Sequence, residues 1–113
     1  MIVVAIIGIL SAVALPQYLQ ARNAAAAGAA VGEALGLAKE CATFAASEVG
    51  AAPTANGSKN VTVDSCTTTG GSVTATWTAG PEGIACLDQK SGATDASAVI
   101  TIADSGALSC VIK

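Results

Sequence analysis

The chain is 113 residues long, 52% hydrophobic and only 3% aromatic, with a formal charge of −3 and no histidine. That length suits one domain, and its core must be aliphatic because Tyr18, Phe44 and Trp77 are the only aromatic rings. A sparsely charged acidic chain exerts no general pull on nucleic acid, and without histidine it lacks the side chain most used for proton transfer near neutrality. No enzyme activity is expected.

The first fifteen residues, MIVVAIIGILSAVAL, carry no charge and one polar side chain, Ser11. Nine of them are large aliphatics: Ile2, Val3, Val4, Ile6, Ile7, Ile9, Leu10, Val13 and Leu15. At ~1.5–3 kcal/mol each, their burial is worth on the order of 15–25 kcal/mol as an upper value. The segment is therefore expected to lie in lipid, in a core, or against other copies. As a helix it rises about 22 Å, short of the roughly 30 Å hydrocarbon layer. It lacks the basic start and small-residue cleavage site of a secretory signal peptide. A buried core helix of a soluble domain is the plainer alternative, but here every face is apolar.

The stretch MIVVAIIGILSAVALPQY resembles the N-terminal segment of type IV pilins and the related pseudopilins. The matching features are the aliphatic run, Gly8, Pro16 eight residues later, and the aromatic Tyr18. The close match covers about residues 1–22, with a compatible layout beyond. The resemblance implies an α+β fold in which a long N-terminal helix packs on a small antiparallel sheet of three or four strands. It also implies a short basic leader removed by a prepilin peptidase, and a mature start with an N-methylated residue and a nearby glutamate. None of these lies within these residues, so the chain reads as beginning inside the helix.

Gly8 and Pro16 bracket the weakest part of that helix. Glycine costs ~1 kcal/mol in a helix interior and proline about 3, and Pro16 removes a donor and crowds the carbonyl of residue 12. In lipid the helix should stay formed. In the family the matching segment is thought to melt on assembly; a simple kink is the other reading. Residues 17–49 are alanine-rich and free of proline, with Val31, Leu35, Ala38, Ala42, Ala45 and Val49 recurring on one face. Gly50 and Pro53 mark the expected stop, about 70 Å from the start. Gly28, Gly32 and Gly36 form a smooth stripe suited to close packing, on the sheet or on a neighbouring subunit. Neutral tolerance is the alternative. Arg22, Glu33, Lys39, Glu40 and Glu48 read as solvated positions, and Arg22 suits a membrane or filament-core boundary.

Residues 23–113 are expected to form a globular head: helix over 23–49, loop over 50–72, sheet over 73–113. The loop holds one possible short strand, Asn60–Asp64. It also carries Asn56-Gly57-Ser58 and Asn60-Val61-Thr62, which fit a glycan-acceptor pattern of low specificity. Expected strands are Ser72–Thr78, Gly83–Leu87, Ala98–Ala103 and Ala107–Ile112, separated by Gly80-Pro81-Glu82-Gly83, Ser91-Gly92 and Asp104-Ser105-Gly106. One sheet face should cover the helix and the other be polar. Trp77 reads as a core or sheet-edge anchor.

Cys41, Cys66, Cys86 and Cys110 are scattered, with no CxxC, which favours disulfides over a zinc site. Of three possible pairings, Cys41–Cys66 with Cys86–Cys110 is preferred. The first would tie the helix to the following loop, and the second would join two strands. Cys41 with Cys86 or Cys110 stays open. Each bridge would add ~3 kcal/mol, support that a small head with few aromatics needs.

The leading functional expectation is a structural subunit of a type IV pilus filament, with adhesion, twitching motility or DNA uptake as properties of the filament. A pseudopilin of a type II secretion system is the alternative. The resemblance implies as partners other copies in a helical homopolymer, the inner membrane before assembly, an assembly ATPase, a platform protein, and the prepilin peptidase acting on the precursor. It implies an inner-membrane pool and then a surface filament. No cofactor is expected. Electron conduction is disfavoured by three aromatics and no CxxCH, and Gly80-Pro81-Glu82-Gly83 is unlike a phosphate-binding loop.

Overall fold

The computed structural model describes residues 1–54 and 59–113, and the side chains of these apart from residues 13–18. Asn56-Gly57-Ser58 lies outside the described residues, as do the side chains of Val13, Leu15, Pro16 and Tyr18. The chain is α+β, with a long N-terminal helix packed on a four-stranded antiparallel sheet.

The helix α1 spans Ile2–Ser47, 46 residues. At about 1.5 Å per residue it accounts for the longest dimension of the molecule, which is 68 Å. In the single chain it continues through Gly8 and Pro16. It ends before the expected Gly50. Glu48 takes the left-handed conformation at φ 57°, and its N–H donates to the Phe44 carbonyl at 2.8 Å. Ser47 supports the turn, donating to the Thr43 carbonyl at 2.6 Å and accepting from the Val49 N–H at 3.4 Å. Satisfying these last carbonyls is what a C-terminal cap achieves; Val49 falls outside it and is exposed.

Six strands follow. β1 (Val61–Thr67) and β2 (Gly70–Thr76) form a hairpin; β3 (Ala85–Cys86) and β4 (Gln89–Lys90) form a small separate ribbon; β5 (Ser97–Ala103) and β6 (Leu108–Ile112) form a second hairpin. The main sheet runs β1-β2-β5-β6 with every neighbour antiparallel. Two expectations are corrected. The sheet begins at Val61, inside the stretch read as loop, and Gly83–Leu87 shrinks to the two residues of β3.

Both corrections have local causes. Gly70-Gly71 falls within the stretch 50–72 expected as loop but belongs to β2, where the missing side chains let neighbouring backbones approach. A Cβ on Gly71 would strike the Ser65 carbonyl, and one on Gly70, held at φ 113°, would strike that of Ile102. Opposite the Ser72–Val73 step, β1 bulges: Val63 pairs with Val73 and Ser65 with Ser72, leaving Asp64 as the extra residue. Its carboxylate accepts from the hydroxyls of Thr74 at 2.5 Å and Ser72 at 3.4 Å. β3 stops early because Leu87 turns left-handed at φ 56°, opening a two-residue connection to β4.

The core lies between α1 and the sheet. The helix contributes Ala27, Ala30, Val31, Ala34, Leu37, Ala38, Cys41 and Ala45, and the sheet Val61, Val73, Ala75, Ile100 and Ile102. Leu35 and Ala42, expected on the same face as Val31, Ala38 and Ala45, are only partly covered. Trp77 follows β2, is buried, and donates its indole N–H to the Asp95 carbonyl at 3.0 Å. Buried Ser91 holds the long β2–β5 connection, donating to the Pro81 carbonyl at 3.1 Å and accepting from the Ile84 N–H at 3.0 Å. The outer sheet face presents Thr62, Thr74, Thr101 and Ser109.

Both preferred disulfides are present, Cys41–Cys66 and Cys86–Cys110, with Cα–Cα separations of 5.8 and 6.1 Å. The first staples α1 to β1, a strand rather than a loop. The second staples the β3–β4 ribbon to β6. Non-reducing peptide mapping should recover these two linked pairs and no Cys41–Cys86 or Cys41–Cys110 peptide. Gly71→Ala should lower the stability of the oxidised protein by at least about 2 kcal/mol in urea titrations, because backbone on both strands must shift; an unchanged midpoint would refute the close-approach account.

Candidate functional site

The feature that sets this chain apart is the uncovered part of α1. Ile2, Val3, Val4, Ile6, Ile7, Ile9 and Leu10 are all more than half exposed, from 51% at Ile6 to 78% at Ile2. Ala5 and Gly8 between them are exposed too, so the segment is apolar around its whole circumference. Among the described side chains, the first of α1 to be fully buried is Ala27.

Farther along, one side of α1 is covered and the other is not. The small residues divide between the two sides. Alanines 27, 30, 34, 38 and 45 face the sheet. Gly28, Gly32 and Gly36 face away from it, and a Cβ built on any of the three meets no atom within 4 Å. Of the two packing roles open to the glycines, the head's own sheet is therefore excluded. Ala21, Ala25 and Ala29 lie exposed on the same outward side, extending the smooth surface toward the aliphatic segment. Sequence reasoning singled out the glycines and passed over these alanines; the signal was their helical spacing with the glycines.

The charged residues of the helix frame this surface. Arg22, Lys39, Glu40 and Glu48 are exposed, and Glu33 is half-buried. A shallow cleft of about 320 Å³ opens where the helix meets the long connection, lined by Gln20, Asn23, Gly80, Pro81 and Glu82. It brings together two amides and one carboxylate, with no nucleophile or acid–base pair. Among the described residues no cluster of acids and cysteines is arranged to hold a metal ion, and all four thiols are consumed in disulfides. No helix among the described residues is long and apolar enough to cross a membrane.

No family model, characterised protein or solved structure matches this chain. The physical reading of the exposed helix therefore carries the functional argument.

Because the three glycines touch nothing in the head, Gly32→Leu should leave its thermal midpoint unchanged or raise it, leucine being the better helix former by somewhat under 1 kcal/mol. A circular-dichroism melt shifted down by several degrees would place Gly32 in a contact within the head.

Proposed function

We propose that this chain is a structural subunit of a type IV pilin-like filament. Its apolar helical segment packs among copies of the same segment, and its disulfide-stapled head lies outside. The observation that carries the reading is the run of seven large aliphatics exposed on α1 between Ile2 and Leu10.

The magnitudes favour assembly. Covering those side chains is worth on the order of 10–20 kcal/mol, more than the whole stability of many small domains. The area involved is on the order of 500 Å², approaching the roughly 800 Å² that each partner contributes to a standard stable interface. A helix apolar on every face cannot be satisfied by one neighbour, because a dimer leaves the far side wet. Only surroundings of several copies, or of lipid, cover it completely. Lipid serves before assembly: the segment is held at the inner membrane, with Arg22 at its boundary, until an assembly ATPase and platform protein move it into the filament.

The heads serve the exterior. The outer sheet face presents Thr62, Thr74, Thr101 and Ser109 beside Val99 and Val111, and two disulfides hold a core rich in alanine and valine. Such bridges suit an oxidising compartment. Adhesion, motility or DNA uptake would then be properties of the whole filament.

The reading is tested by producing the protein in cells with working pilus machinery. Sheared wild-type filaments are expected, and Ile6→Ser with Ile9→Ser should reduce their yield at least tenfold while leaving the head's thermal midpoint unchanged. Wild-type protein that stays monomeric in such cells, with every surface fibre intact in its absence, would overturn the proposal.

A further inference from the structure

Between Ile2 and Gly32 the helix carries a single charge, Arg22, and the next is Glu33. Eleven residues make three helical turns plus about 20°, so the two side chains share one face and stand about 16 Å apart along the axis. Ala25, Ala26 and Ala29 lie between them, exposed. The sheet is contacted by a different side of the helix, through Ala27, Val31 and Ala34. At that separation Arg22 and Glu33 cannot meet within one copy, and neither forms an ion pair with another described residue.

In water neither charge needs a partner. Once the aliphatic segments of parallel copies pack together, both stand beside an apolar helix contact, where an unpaired charge is costly. We propose that Arg22 of one copy pairs with Glu33 of a parallel neighbour, fixing an axial stagger of eleven residues between adjacent helices. The inference rests on the filament reading and specifies its register. The occupant of this face is a second copy, argued from charge complementarity: a cation toward the aliphatic end meets a carboxylate toward the head. The small residues between them let the two backbones come close. Because the two halves of the contact differ, it repeats head to tail and leaves the polymer open-ended. Glu40 also lies on this face, five turns from Arg22. Glu33 is the nearer carboxylate and is already half-buried, so pairing removes less water from it.

Intersubunit cross-linking tests the register in filaments of the full chain. The doubly substituted chain, Arg22→Cys with Glu33→Cys, should give a covalent ladder of trimers and larger species on oxidation, while either single variant stays monomeric. Products that stop at dimers would mean an antiparallel, closed pair, and a ladder from Arg22→Cys with Glu40→Cys instead would mean a different stagger; either overturns the proposal. As a second measurement, Arg22→Glu and Glu33→Arg should each reduce filament yield at least tenfold, and the two together should restore it to within about threefold of wild type. Wild-type filaments that form normally with no response to the exchanges sink the pairing alone. Absence of wild-type filaments sinks the filament reading and the pairing with it.

Discussion

The close approach of α1 to its sheet governs most of this structure. Alanines at 27, 30, 34, 38 and 45 give the buried helix face almost no height, so the helix backbone settles near the strands. Only from there can Cys41 reach Cys66, at a Cα separation of 5.8 Å. The same closeness limits what burial contributes. An alanine offers one methyl group, where a leucine offers four carbons and correspondingly more transfer free energy. The larger side chains Ile100, Val31, Val61 and Val73 concentrate the remaining apolar burial midway along the contact. Covalent bridges on the two edge strands, Cys41–Cys66 at β1 and Cys86–Cys110 at β6, add to what packing contributes.

A helix this slender can serve two surfaces. Its inner side is filled by the head, and its outer side keeps glycines and alanines that nothing in the head requires. A soluble helix whose outer side met only water would ordinarily place charges there. This one has few, and they mark the ends of the smooth stretch. Towards the N-terminus the distinction between sides disappears, and the segment is apolar all round. The helix therefore changes character along its length, from apolar and uncovered on every side to covered by the head on one side only.

Much of this was legible from residues alone, and the failures are instructive. The aliphatic run, the alanine-rich helix and the use of the cysteines in disulfides rest on composition and spacing, whereas the pairing of the cysteines was only the preferred one of three. Of the face expected along Val31, Leu35, Ala38, Ala42, Ala45 and Val49, the first, third and fifth are buried, whereas Leu35 and Ala42 are only partly covered and Val49 is exposed; Ala27, Ala30, Ala34, Leu37 and Cys41 complete the buried side, which the sheet and not the helix pattern selects. The end of the stretch read as loop over 50–72 belongs to the sheet. The role of Gly70 and Gly71, admitting the Ile102 and Ser65 carbonyls, depends on pairing between strands rather than on local propensity. The β3–β4 ribbon was reduced by a left-handed leucine, a conformation no propensity favours. On the helix surface, the outward alanines were invisible until the sheet showed which side was already taken.

The bulge at Asp64 has a bearing on how these heads behave in a crowd. β1 is the free margin of the sheet, while β6 at the opposite margin is guarded by the stapled ribbon. An uninterrupted margin strand offers a regular row of amides and carbonyls onto which another chain can zip. Here the extra residue breaks the spacing of that row, and a carboxylate stands beside it. The broken margin thereby opposes strand-to-strand fusion into an amyloid-like sheet whenever copies of the chain collide, and each head remains a discrete unit.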